Sequence, residues 1–260
     1  MNKTLAIVLP TKRYNTYLDD AIQSCLDVNY QEKKIYVNIN SKSDSFKKSK
    51  FWNNKLVHWR YIDDVTDKMY ISFNNAVSNS EGDWIFMMSD DDIIHRNLLN
   101  EVDLGSTNES DLIATRINYI NGDGRFLYNQ KPYKSLVSSN ENFLNDFFDN
   151  KIINHVSTFI FSRKLYEKVG GFTDGGYPSG LFMDTIFHAK LIANAKSVHC
   201  TQSVNFSRRI SKVQGSYGFY FDQEVNLFAE KIVQSMLSDE KLKTQILKRF
   251  KTPLIYKTKI

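Results

Sequence analysis

The sequence predicts an α/β fold: a mostly parallel sheet flanked by helices, in a single domain with a C-terminal helical extension. Three observations predict it. "LAIVLP" (residues 5–10) and "DWIFMM" (83–88) are continuous apolar runs, the mark of strands buried on both faces. Segments of helical period alternate with such runs, as they do in sheets built from crossover units. The 260 residues, 42% hydrophobic and 24% charged, have the length and composition of one sizeable globular domain.

Leu5–Pro10 opens the sheet. "NTYLDDAIQSCLDV" follows, with Leu18, Ala21, Ile22, Cys25 and Leu26 on one helical face. "KIYVNIN" (34–40) is the second strand, "LVHWRYID" (56–63) the third, and "ISFNNAVSNS" (71–80) a helix with Phe73, Ala76 and Val77 inward. "DWIFMM" is the next buried strand. After it come a helix at "NLLNEVDL" (97–104), a strand at "DLIATRINYI" (111–120) and a hairpin turn at "NGDG" (121–124). "NENFLNDFFDN" reads as a helix, "VSTFIFS" as a strand and "LFMDTIFHAKLIANA" as a helix opened by a glycine-rich loop at 170–180. "QEVNLFAEKIVQSML" and "KLKTQILKRF" read as two closing helices. Residues 1–215 form the predicted domain, in two halves, 1–100 and 101–215. Residues 216–260 form the extension with its basic tail.

Composition excludes several functions. No apolar stretch is long enough to cross a bilayer, and the N-terminal apolar run is too short for a secretory signal. Cys25 and Cys200 stand alone, which points to a reducing, cytoplasmic compartment and away from structural zinc. The first glycine is Gly82, so the first strand-to-helix turn holds neither GxGxxG nor a P-loop. Dinucleotide dehydrogenases, Walker-type NTPases and nucleotidyltransferases with a Gly-rich first loop are disfavoured on that ground. The net charge of +5 comes from the end of the chain: Lys241 to Ile260 carries seven Lys/Arg and no acid. That tail reads either as a frayed, solvated terminus or as a peripheral contact with anionic lipid on the inner membrane face. No basic, aromatic-rich sheet motif supports nucleic-acid binding.

The chemistry concentrates where "DWIFMM" ends in Ser89, Asp90, Asp91 and Asp92. In an open parallel sheet, ligands bind beyond the carboxyl ends of the strands. Adjacent carboxylates there suit a hard divalent cation, Mn2+ or Mg2+, bound with a substrate diphosphate. The structural alternative is an aspartate N-capping the helix that follows, with the others solvated.

Taken in order, "IVLPTKRYNTYLDDAIQSCL", "YVNINSKSD", "FNNAVSNSEGDWIFMMSDDD", "KVGGF" and "MDTIFHAKL" resemble the inverting family 2 glycosyltransferases of GT-A fold, over residues 4–210. The resemblance implies transfer of a sugar from a nucleotide-diphosphate donor, UDP favoured, to a hydroxyl of a glycan or lipid-linked acceptor. Surface-polysaccharide assembly is the implied setting. By this resemblance Pro10, Thr11 and Arg13 lie at the donor nucleotide, and Asn74 matches a family asparagine. Ile39 and Asn40 occupy the places of two acids usual in the family, so Asn40 keeps only a hydrogen-bonding role toward base or ribose. Asp63 or Asp64 is a candidate contact in their place. Ser89 replaces the first acid of the family's metal motif, leaving Asp91 and Asp92 as metal ligands and Asp90 beside them on the nucleotide; a one-residue slip would pair Asp90 with Asp92. Asp184, at a helix start after the glycine-rich loop, matches the family's general base; as a structural residue it would instead cap the helix or pair with His188. Arg208 and Arg209, on a segment expected to be a loop, match a basic segment over the diphosphate. The departures at Asn40 and Ser89 also fit a catalytically reduced protein that binds nucleotide or carbohydrate.

Overall fold

The computed structural model describes residues 3–63, 65–149, 151–174 and 183–210, together with residues 240 and 244. In chain order the elements are β1 (Leu5–Thr11), α1 (Thr16–Asp27), β2 (Lys33–Ile39), β3 (Val57–Tyr61), α2 (Met69–Ser78), β4 (Trp84–Met87), β5 (Ile93–Ile94), β6 (Leu112–Asn121), β7 (Phe126–Asn129), β8 (Val137–Ser139), α3 (Asn140–Phe148), β9 (Phe159–Ser162), α4 (Arg163–Lys168), α5 (Met183–Asn194) and β10 (Ser197–Ile210). Short 3-10 turns lie at Asp44–Lys48 and Val156–Thr158.

One sheet runs β3-β2-β1-β4-β9-β6-β10-β5, with β7 beside β6 and β8 beside β10. The β1, β2, β3 and β4 ladders are parallel, and so is β6 with β10. β9 is antiparallel to both β4 and β6 and so reverses the direction between them. The parallel strands on both sides of β9 therefore end at one common edge. The doubly buried strands expected from the sequence are there: all seven residues of β1 and all four of β4 are buried. Leu5, Ile7 and Leu9 pack on the α1 face with Leu18, Ile22 and Cys25. Ala6 and Val8 face α2, α3 and α5, with Val77, Phe147 and Phe187. Among the described residues no helix is long and apolar enough to cross a membrane.

Local chemistry explains most boundaries. The Asn15 side chain caps α1, accepting from Leu18 N at 3.1 Å. The hairpin turn forms as expected, with Asn121 O accepting from Gly124 N at 2.9 Å. α4 stops at Gly170 and Gly171, whose φ of 72° and 65° are left-handed and suit glycine.

Two expectations fail. No helix forms at 97–104: the segment is a run of turns. Its polar groups are drawn to an irregular stretch of β10, whose register shifts between Cys200 and Phe206. Glu101 accepts from Gln202 N and Ser203 N at 2.6 and 2.7 Å, and His95 N donates to Asn205 O at 2.8 Å. Arg208 and Arg209 lie on a fourteen-residue strand, not on a loop. β5 and β8, too short to carry a pattern, went unread. The closing helices, the glycine-rich stretch 175–180 and the basic tail lie outside the described residues.

At Gly82 a Cβ would stand 2.8 Å from Ala6 N, against the backbone of β1. Gly82→Ala is expected to lower unfolding stability by about 1–3 kcal/mol, read as a lower urea midpoint at unchanged slope.

Candidate active site

The common edge collects the ends of β1, β2, β4, β6 and β10. α5 precedes β10 and runs back along the sheet, so its first turn, with Asp184, also lies there.

The aspartates are not equivalent. Asp90 is half-buried, and Thr11 Oγ1 donates to its Oδ2. Burial pushes its carboxyl up to about 6; the Asp91 charge adds to this, while the Thr11 hydroxyl and Arg13 oppose it. Asp91 is half-buried, with its backbone carbonyl accepting from Arg209 Nε at 2.8 Å. Asp92 is fully buried. Its Oδ1 accepts from Arg209 N at 2.7 Å, and its Oδ2 lies 3.4 Å from His155 Nε2. Burial pushes the Asp92 carboxyl well above the usual range, with the Asp91 charge adding to it and Arg209 N–H and Arg208 opposing.

Asp92, expected as a metal ligand, has one oxygen held by a backbone N–H and its whole side chain shut from solvent, so it ties the loop down. Asp90 and Asp91 retain the hard oxygen donors that suit Mg2+ or Mn2+. Among the described residues no set of three His, Cys, Asp or Glu side chains is arranged as a metal site. The capping alternative for the aspartates also fails, because no helix follows them.

Arg209 is almost entirely buried. Its Nη1 donates to Gly122 O at 2.9 Å, its guanidinium lies 4.4 Å over the Tyr17 ring, and Nη2 is 3.7 Å from Asp20. These contacts make Arg209, expected at the diphosphate, a clamp within the protein. Arg208, half-buried, brings a cation to the site. Its charge opposes the upward shifts of both Asp92 and Asp184 and helps to keep His155 neutral.

Asp184 is half-buried in the first turn of α5, and burial pushes its carboxyl up to about 6 against the pull of Arg208. His188, the alternative partner for Asp184, has its Nδ1 2.7 Å from Asn154 Oδ1. Asn154 Nδ2 donates to Thr185 Oγ1, also at 2.7 Å.

The remaining expected residues divide. Pro10 and Thr11 are buried at the end of β1, and Arg13 is exposed beside them. The Asn40 amide brackets the next loop, donating to Thr66 O at 2.7 Å and accepting from Thr66 N at 2.9 Å. Asp63 is exposed, and Asp64 lies outside the described residues. Asn74 accepts from Tyr166 Oη and Phe172 N and donates to Phe172 O, at 2.6–2.9 Å, tying α2 to the residues after α4. Asn40 and Asn74 thus serve the walls of the site. The sequence reading missed Asn154 and His155; their one signal was the small polar run "NHVST" ahead of an apolar strand.

Residues 6–170 match the profile of the family described as "Glycosyl transferase family 2". Among curated proteins no sequence matches. Among solved structures, S. aureus TarS 1-349 aligns with a TM-score of 0.64 and 16% identity over 95% of this chain and 70% of that one. TarS 1-349 in complex with UDP-GlcNAc aligns with a TM-score of 0.66 and 16% identity, over 95% and 71% of the two chains. A further TarS structure aligns at 0.65 and 18%, with 42% of that longer chain covered. At these identities the likeness is one of fold, and the fold is GT-A-like.

Because Asp90 and Asp184 hold protons more tightly folded than unfolded, they favour the folded chain below about pH 4, and that contribution is lost as pH rises through about 6. Asp184→Asn is therefore expected to be more stable than the parent at pH 7 by about 1–2 kcal/mol. Urea titrations across pH should show the gap closing toward pH 4.

Proposed function

We propose a sugar transfer for this chain, which belongs to glycosyl transferase family 2. A hydroxyl of a glycan or lipid-linked saccharide attacks the anomeric carbon of a nucleotide-diphosphate sugar, with inversion. The observation that supports this most is the gathering of Asp90, Asp91, Asp184 and Arg208 at one sheet edge, from segments far apart in sequence.

Asp184 takes the hydroxyl proton while the new carbon–oxygen bond forms and the bond to the diphosphate breaks. A carboxylate titrating at about 6 is ionised at neutral pH and more basic than an exposed one, which suits that task. Arg208 offers a planar, permanent cation to the leaving diphosphate. Thr11 holds Asp90 in place beneath the donor. Asp91, with Asp90, would hold a divalent cation, Mn2+ or Mg2+. When bound, such a cation neutralises charge developing on the diphosphate, a contribution of several kcal/mol. UDP is the favoured nucleotide, since TarS, of the same fold, is described with UDP and with UDP-GlcNAc. The basic residues of 241–260 suit a contact with an anionic, cytoplasmic membrane face, where lipid-linked acceptors are presented.

Calorimetric titration of UDP, GDP and dTDP, with and without Mn2+, tests the donor site. One nucleotide should bind only with metal, and Asp91→Ala should lose that binding; a protein that binds none of them overturns the reading. Asp184→Asn should reduce kcat by about 100-fold or more while leaving nucleotide affinity unchanged. In the parent, kcat should climb with pH and level off above about 6. Arg208→Ala should carry that limb to higher pH, because it removes the charge that holds Asp184 down.

A further inference from the structure

Asn154 and His155 are neighbours in the chain, yet their side chains serve opposite halves of the site. Asn154 is bonded to α5 just after Asp184, to Thr185 Oγ1 and, one turn on, to His188 Nδ1, both at 2.7 Å. His155 reaches the aspartate loop, its Nε2 3.4 Å from Asp92 Oδ2. Ser157 N donates to His155 Nδ1 at 3.3 Å. In the neutral ring that bond leaves the proton on Nε2, directed at Asp92. Asp92 Oδ2 is fully buried and has no hydrogen-bond partner among the described residues, so this N–H is the donor group that faces it.

The backbone between these two contacts is held firmly. His155 and Thr158 form a reciprocal cap, with His155 N donating to Thr158 Oγ1 at 3.0 Å. Thr158 Oγ1 donates to Ile153 O at 3.1 Å. Thr115 Oγ1, on β6, donates to both Ser157 O and Thr158 O at 3.0 Å, and His155 packs 5.7 Å from the Phe206 ring of β10. A segment tied at five points to β6, β10 and itself transmits position without slack.

We propose that the Asn154–His155 pair is a positioning strut, which sets the spacing between the helix carrying the base and the aspartate loop carrying the donor site. It rests on the roles of Asp184 and Asp91 given above. Neither residue touches a reacting atom; each acts through another, Asn154 through α5 and His155 through Asp92. Misplacement of about 1 Å at a reacting centre is enough to cost up to 100-fold in rate, so spacing is worth a dedicated element.

The test compares the parent with Asn154→Ala, His155→Ala, the double variant, and the conservative Asn154→Asp and His155→Gln. UDP-GlcNAc with Mn2+ is the probe: UDP released to water gives kcat and KM, and calorimetry with UDP gives affinity. Urea titrations separate folding losses. Asn154→Ala should lower kcat about tenfold or more with KM and UDP affinity within about twofold. His155→Ala should weaken UDP binding about fivefold as well, because it frees the loop. The conservative variants should recover most of each loss, since Asp still accepts from His188 and Gln still presents an N–H toward Asp92. The double variant should lose less than the product of the single losses, because spacing broken at one end is not broken again at the other. Single variants that match the parent in kcat and affinity would overturn the strut. So would losses that multiply in the double variant and follow urea stability alone. A parent protein that binds no nucleotide overturns the functional reading instead, an outcome told apart from these by the parent's own titration.

Discussion

The groups of Arg209 hold the aspartate loop against three separate parts of the molecule, and the proposed site depends on that attachment. Its backbone N–H engages Asp92, its Nε the carbonyl of Asp91, and its Nη1 the carbonyl of Gly122 in the β6–β7 turn. Its guanidinium face rests on Tyr17 of α1. A guanidinium this deeply buried is costly unless its N–H groups find acceptors and its charge a counter-charge. Here two loop carbonyls and nearby carboxylates meet that demand, so the same contacts that satisfy Arg209 immobilise the backbone at Asp91 and Asp92. A longer or freer loop would leave the arginine unsatisfied, and that ties the shape of the loop to the stability of the core.

Around this clamp the site stores unfavourable electrostatics. Asp90, Asp92 and Asp184 are all pushed up by burial, and Arg208 is the cation that opposes the shift at two of them. Carboxylates kept this way lower the stability of the empty protein and favour bound positive charge or a proton in transit. Function of this kind is commonly held at the expense of stability. The walls of the site carry no such burden: Asn40 and Asn74 are satisfied by backbone groups, and they hold the Thr66 loop and the Phe172 segment in place.

Much of this was legible in the sequence, for reasons that can be named. β1 and β4 show as unbroken apolar runs because both their faces are buried, and α1 shows as a stripe because one face is. Asp90, Asp91, Asp184 and Arg208 were candidates because they stand in a familiar order along the chain. What escaped depends on partners distant in sequence. The 97–104 segment has helical spacing, but Glu101 is taken by the β10 backbone about a hundred residues on, and no local pattern encodes that. Arg209 and Arg208 are adjacent and chemically identical; alternation along β10 sends one into the core and leaves the other in the site. Asn154 and His155 carry no signal beyond polarity, because their partners on α5 and the aspartate loop meet them only in the folded chain.

The order of strands has a consequence for how the protein comes into being on the ribosome. β1 to β4 are adjacent in the sheet and complete by residue 87, so the first half of the pleated core has its partners early. Domains assemble from the N-terminus as synthesis proceeds. The aspartate loop follows directly, but it leads to β5, at the far end of the sheet, whose strand partner is β10. Its remaining anchors, His155 and Arg209, emerge 63 and 117 residues after Asp92. A nascent chain therefore holds its acidic loop by early contacts such as Thr11 with Asp90 until these anchors emerge, and the site closes only when the last described strand is delivered.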